Sequence, residues 1–350
     1  MQKIKTALLS YGMSGKVFHA PFLAFHSGFE LMGSWERSKK LIQKDYPEVI
    51  SYPSLNSILQ DTTIDLVIVN TPVETHFEYA KKVLLAGKHV LVEKAFTSSL
   101  AEAIELAELA KSKGLKLCVF QNRRWDSDFK TVQKTLNDKV LGELVEVEFH
   151  FDRYNPDLSP KKHKETANPG AGILKDLGPH IIDQALFLFG MPEAIFADIR
   201  FIREATLVDD YIDILLYYPD FRVRIKAGFF VREPNPAYFV HGKKGSFLKH
   251  RGDVQEDELK LGKKPNLDSW GTENVGNEGL LHTEIDGKII REIVPTLQGN
   301  YYDFFEGVYQ SIAFNKPEPV SAHDGVNVMQ IIDAAIISNE NKKIMPIYKK

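Results

Sequence analysis

A chain of 350 residues is more than twice the usual size of a single domain, so about two domains are expected. With 43% hydrophobic and 26% charged residues it has the make-up of a globular protein, which excludes disorder and a fibre. A formal net charge of −3 argues against a nucleic-acid-binding surface as its main business. A chain of this length buries enough surface to fold without disulfides or a structural metal.

The first 120 residues alternate short apolar runs (residues 4–9, 29–35, 66–70, 89–93 and 115–120) with amphipathic stretches. That order predicts a doubly wound parallel sheet, whose strands are buried on both faces and need not alternate. The clearest helix is expected over 99–113: Ser99 and Glu102 form a capping box and Gly114 supplies the stop. The single cysteine, Cys118, falls in the last of these runs and reads as a small buried hydrophobe rather than a catalytic thiol.

Beyond residue 120 the texture changes. Residues 144–151, 195–201, 212–218 and 221–229 alternate apolar with polar, which predicts an open, mostly antiparallel sheet with one covered face. A helix is expected at 173–189, a polar surface excursion at 253–278 and an amphipathic helix at 326–338. The expected division is therefore 1–120 and 121–350, an α/β protein of two domains. No apolar run approaches the ~20 residues that span a bilayer. The first nine residues lack a signal-peptide cleavage site, and with one cysteine a reducing cytoplasm is the expected compartment.

Directly after the first run come Ser10, Tyr11, Gly12, Met13, Ser14 and Gly15, a glycine fingerprint for a dinucleotide with Ser10 in place of the first glycine. Gly12 would let the backbone approach a pyrophosphate and Gly15 would let the helix pack on the strand, with the helix N-terminus facing the phosphates. Glu36 follows Gly15 by 21 residues, close to the ~20 expected of a ribose-binding acid. A carboxylate there favours NAD, whereas Arg37, Ser38, Lys39 and Lys40 behind it would welcome the 2′-phosphate of NADP. Asn70, Thr71 and Pro72 end one strand, and Glu93 and Lys94 end the next, on the rim where such sheets bind ligands.

A second constellation lies far downstream. Asp176, His180 and Asp183 share one face if the segment is helical, and Pro179 either starts that helix or kinks it. A neutral histidine near a carboxylate is suited to accept a hydroxyl proton, and its surroundings lack any metal-binding pattern, so no metal is expected. Residues 121–126 (Gln-Asn-Arg-Arg-Trp-Asp) suit either the lining of a cleft at the domain junction or inter-domain ion pairs.

Taken together, residues 11–21, 70–72, 86–90, 93–94, 121–126, 176–180 and 268–271 give the chain its family look. It resembles the Gfo/Idh/MocA oxidoreductases, and within them the branch that contains scyllo-inositol dehydrogenases. The resemblance implies a Rossmann domain followed by an α/β domain whose open sheet forms a homo-oligomer interface, with the last helix (324–340) packing back near the first domain. It places the family's catalytic lysine on Lys94 and its acid and histidine on Asp176 and His180. Ala95 and Ser10 depart from the family's proline and glycine without removing a reacting group. The cofactor, NAD or NADP with Glu36 tilting the expectation to NAD, is then expected at Gly12, Met13, Ser14, Gly15, Glu36, Arg37, Asn70, Thr71, Pro72, His76, Glu93, Lys94, Asn122 and Arg123. A polyol or sugar is expected at Lys94, Arg153, His163, Asp176 and His180. Two alternatives stand beside the inositol-dehydrogenase-like activity: an NADP-dependent reductase of another carbonyl, and a nucleotide-responsive binding protein without chemistry.

Overall fold

The computed structural model describes residues 3–36, 39–160 and 162–348, the side chains of residues 162 and 163 excepted. The chain forms two compact units, each assembled from three stretches. The first comprises Met1–Asn122, Val254–Trp270 and Asn300–Val326; the second comprises Arg123–Asp253, Gly271–Gly299 and Asn327–Lys350.

The first unit is built on a six-stranded parallel sheet of order β3-β2-β1-β4-β5-β6. Its strands are β1 (Ile4–Leu8), β2 (Phe29–Trp35), β3 (Ile50–Tyr52), β4 (Leu66–Val69), β5 (His89–Val92) and β6 (Leu117–Val119). Every residue of β4 is buried, as continuous apolar runs demand of a sheet covered on both faces. Helix Leu100–Lys113 starts at the Ser99–Glu102 capping box and ends at Gly114, whose φ of 65° suits a residue without Cβ. Cys118 is buried in β6, and desolvation pushes its thiol pKa up.

Two stretches from late in the sequence complete this unit because they supply aromatic surface that its first helix needs. Phe22 stacks on Phe305 at 5.2 Å and meets Trp270 edge-on at 6.3 Å. The amide oxygen of buried Gln255 accepts from Trp270 Nε1 at 3.0 Å and from the Tyr301 amide at 2.7 Å. The stretch 253–278 therefore differs from a plain surface excursion. It holds helix Gln255–Lys260, and Gln255, Leu259 and Trp270 are buried.

The second unit carries a nine-stranded sheet in which only β7 and β10 pair in parallel. In chain order its strands are β7 (Leu144–Asp152), β8 (Ala194–Arg200), β9 (Tyr211–Tyr217), β10 (Arg222–Gly228), β11 (Tyr238–Gly242), β12 (Gly245–Lys249), β13 (Gly279–Ile285), β14 (Lys288–Val294) and β15 (Met345–Pro346). Burial alternates along β9 and β10, as one covered face requires. Helix Gly178–Phe189 packs on the covered face against β7 and β10.

Candidate active site

The carboxyl ends of β1, β4 and β5 form a rim in the first unit, and its polar groups bind one another closely. Asn70, just past β4, pairs with the backbone of Ser10: its Oδ1 accepts from Ser10 N at 3.0 Å and its Nδ2 donates to Ser10 O at 2.7 Å. The Ser10 hydroxyl accepts the Gly12 amide at 3.1 Å, so the serine in the first glycine's place ties the turn together. A Cβ on Gly15 would lie 2.2 Å from Ser10 O and 2.8 Å from Asn70 Nδ2, so that glycine lets the helix start approach β1. A Cβ on Gly12 would meet only Ser10 Oγ, at 3.4 Å. Packing does not demand a glycine there, which fits a position kept bare for a pyrophosphate. Met13, beside it, is exposed.

Glu93 follows β5 and is buried, and both its oxygens are engaged. Oε1 accepts from the Ser14 hydroxyl and lies 2.9 Å from His19 Nε2, while Oε2 accepts the Lys94 amide at 3.2 Å. Burial alone would raise its pKa. The His19 and Ser14 hydrogen bonds and the Lys94 charge outweigh burial and hold it below the ordinary carboxylate value. Ala95, in the place of the family's proline, is buried, and its carbonyl lies 2.9 Å from His76 Nδ1. His76 Nε2 lies 2.8 Å from the Thr71 carbonyl, so this ring ties the loop after β4 to the loop after β5. Burial lowers the His76 pKa although both neighbours are acceptors. The loop that carries Lys94 is thus held from both sides of that residue.

Glu36 is engaged within its own loop. Its two oxygens accept the amides of Leu41 and Ile42 at 2.8 and 2.9 Å, at the start of helix Ile42–Asp45. Each oxygen keeps a second lone pair, but the carboxylate is anchored to its own loop. Lys39 and Lys40 in that loop are exposed. Arg37 lies outside the described residues.

In the second unit, Asp176 closes a one-turn helix, Ile173–Asp176, and helix Gly178–Phe189 begins directly after it with Pro179 in its first turn. Pro179 therefore starts a helix and leaves Asp176 just before it. His180 is buried in that first turn, and Asp176 is half-exposed and receives Lys164 Nζ at 3.2 Å. Asp183 faces Arg124 instead: Nε and Nη2 of the guanidinium lie 2.7 and 2.6 Å from its two oxygens, a buried bidentate pair. Arg123 donates to Asp126 at 3.2 Å and lies 5.2 Å from the Phe151 ring centroid, and Arg153 is equally far from that ring. Asn122, the last residue of the first unit, is buried. The side chain of His163 lies outside the described set. Among the described residues, no group of three or more His, Cys, Asp or Glu is arranged to hold a metal ion, and no helix is long and apolar enough to cross a membrane.

Sequence reasoning missed His19 and the engagement of Glu36. The signal for His19 was its place one turn beyond Gly15, on the inner side of the first helix. Nothing local betrays that Glu36 reaches forward to Leu41 and Ile42.

A parallel six-stranded sheet with a glycine turn and a pinned carboxyl rim defines a nucleotide-binding Rossmann domain, joined here to a mostly antiparallel open-sheet domain. Two family models match accordingly: the oxidoreductase family with NAD-binding Rossmann fold over residues 4–121, and the Gfo/Idh/MocA C-terminal domain over 129–248. The chain belongs to the Gfo/Idh/MocA oxidoreductases. It is 36% identical to scyllo-inositol 2-dehydrogenase (NADP(+)) IolW of Bacillus subtilis, covering 97% of this chain and 95% of the relative. It is 37% identical to YdgJ of Escherichia coli, an uncharacterised oxidoreductase, covering 97% of both. Among solved structures, a Bacteroides fragilis protein is 44% identical with a TM-score of 0.91, covering 99% of this chain and all of the other (100%). A Bacillus cereus oxidoreductase is 29% identical with a TM-score of 0.92, covering 99% of both.

Proposed function

We propose that this protein catalyses reversible hydride transfer between NADP(H) and a secondary alcohol of a cyclic polyol or sugar. The observation that carries the reading is His180, buried in the first turn of Gly178–Phe189 with Asp176 immediately before that helix. In oxidation, His180 takes the hydroxyl proton, Asp176 orients the ring and supports its charge, and Lys94 donates a hydrogen bond to the alcohol oxygen as negative charge develops there. When bound, the nicotinamide supplies the hydride acceptor. Gly12, Gly15 and the start of the first helix would hold the pyrophosphate. For the choice of cofactor, the anchoring of Glu36 to Leu41 and Ile42 and the exposed Lys39 and Lys40 support NADP over NAD. The relative named as NADP-dependent points the same way.

A panel of inositols and sugars, read by the absorbance of reduced nicotinamide with NAD and NADP in parallel, tests the reading. Turnover with a cyclic polyol and NADP is expected. Nucleotide binding without turnover of any polyol or sugar would favour a binding protein instead.

The uncovered face of the nine-stranded sheet is part of the same proposal, as the contact with a second copy of this chain. Arg222, Arg224 and Lys226 of β10 run beside Glu146 and Glu148 of β7 and Asp213 of β9. Basic and acidic strips side by side are self-complementary under a two-fold rotation. Light scattering is expected to give a dimer or tetramer; a monomer at micromolar concentration would refute the contact.

A further inference from the structure

The first helix opens with a π-turn, Gly15–His19, in which the Ala20 amide reaches back to Gly15 O. Such wide turns are rare and concentrate at functional sites. This one puts His19, fully buried, against the ring of Phe120 at 4.4 Å with Nε2 on Glu93. Its other nitrogen, Nδ1, is buried and has no hydrogen-bond partner among the described residues. An unsatisfied buried polar atom is costly, and a leucine or phenylalanine would fill such an apolar site without that cost. What the histidine adds is the single N–H on Glu93.

We infer that His19 is a positioning residue: through Glu93 it fixes the nucleotide turn at Ser14 to the backbone of Lys94. One carboxylate joins two loops on either side of β4, because Oε1 holds Ser14 and His19 while Oε2 holds the Lys94 amide. Buried in an apolar wall, a carboxylate keeps a single orientation only if donors meet it on both oxygens. Without the imidazole, Oε1 keeps only the Ser14 hydroxyl. The turn and the lysine loop then lose their common anchor. The role rests on the proposed nucleotide site at this turn.

The test is titration of NADPH and NADH by the fluorescence of the reduced nicotinamide, which needs no substrate. It is run on the full-length protein and on His19→Leu and His19→Gln. The Gln amide reaches the place of Nε2 and restores a donor, whereas Leu restores only volume. His19→Leu is expected to weaken the preferred nucleotide about tenfold and His19→Gln to stay within about threefold of wild type. Equal affinity in the Leu variant, or equal loss in both, would overturn the role. If the Leu variant does not fold, His19→Asn replaces it: its amide matches the side of Nδ1, and the same tenfold loss is expected. Should the wild-type protein bind neither nucleotide, the site reading itself fails and this role falls with it. Wild-type binding with an unaffected Leu or Asn variant refutes only the role of His19.

Discussion

Each unit buries a carboxylate among charged or polar neighbours, and the two are treated oppositely. Glu93 in the first unit is met by a hydroxyl, an imidazole and a backbone amide, and its pKa is held below the ordinary value despite burial. Asp126 in the second unit is fully buried, with Arg123 Nη1 at 3.2 Å and Arg251 Nη1 at 3.8 Å. Desolvation first, and then the charge of Asp253, push it well above the ordinary value, and the arginines offset only part of that. Directed donors within one loop assembly outweigh burial, whereas guanidiniums shared among several acids do not. The first unit thus holds its carboxyl rim with directed hydrogen bonds, and the second keeps Asp126 in a crowded ionic cluster with Arg123, Arg251 and Asp253.

That contrast predicts where substitutions will register. His180→Ala is expected to lower turnover about 10²–10⁴-fold, the usual worth of a general base, while leaving the nucleotide dissociation constant within about twofold. Loss of nucleotide binding in this variant would break the division of labour. Arg124→Met leaves Asp183 buried without its bidentate partner. It is expected to cost about 3–5 kcal/mol of stability, measured by urea denaturation.

The glycine turn separates packing from binding within one unit. Gly15→Ala drives a methyl against Ser10 O and Asn70 Nδ2 and is expected to cost about 1–3 kcal/mol of stability. Gly12→Ala meets no backbone and is expected to keep wild-type stability while weakening nucleotide binding at least tenfold. Thermal unfolding without nucleotide, alongside fluorescence titration, distinguishes the two. Gly12→Ala with intact binding would remove that position from the pyrophosphate site.

Much of this rim is legible in the sequence because it rests on local rules. The Ser99–Glu102 box, the Gly114 stop and the buried runs of β1, β4 and β5 obey patterns that operate within a dozen residues. Strand β3 is only three residues long and begins with an exposed Ile50, so no apolar run announces it. Strands β11 to β14 are not among the expected strands: β14 leaves Ile289 and Ile293 exposed, so its burial follows no simple alternation. The return of 254–270 and 300–326 to the first unit rests on Phe22, Trp270 and Phe305, residues more than two hundred positions apart. Separations of 59 and 74 positions likewise hide the partners of Asp183 and Glu93: each looks like one more acid until the fold brings Arg124 or His19 to it.

The smallest expected effects probe the two carboxylates through pH. Because the folded state lowers the Glu93 pKa, its ionised form stabilises the fold above the unfolded-state value of about 4.3, and that contribution is lost as pH falls through the folded value. Wild type should therefore lose its advantage over Glu93→Gln as pH is lowered below about 5. Asp126 has the opposite sign. Its folded pKa lies above the unfolded value of about 3.9, so the unfolded chain releases that proton first and stability falls as pH rises between the two values. Wild type should accordingly lose ground to Asp126→Asn as pH rises from about 4 toward neutrality. Urea midpoints across pH 2–8 on the three proteins give both slopes in one series. If stability relative to the neutral variant rose with pH for both acids, the surrounding donors would govern both; if it fell for both, burial would.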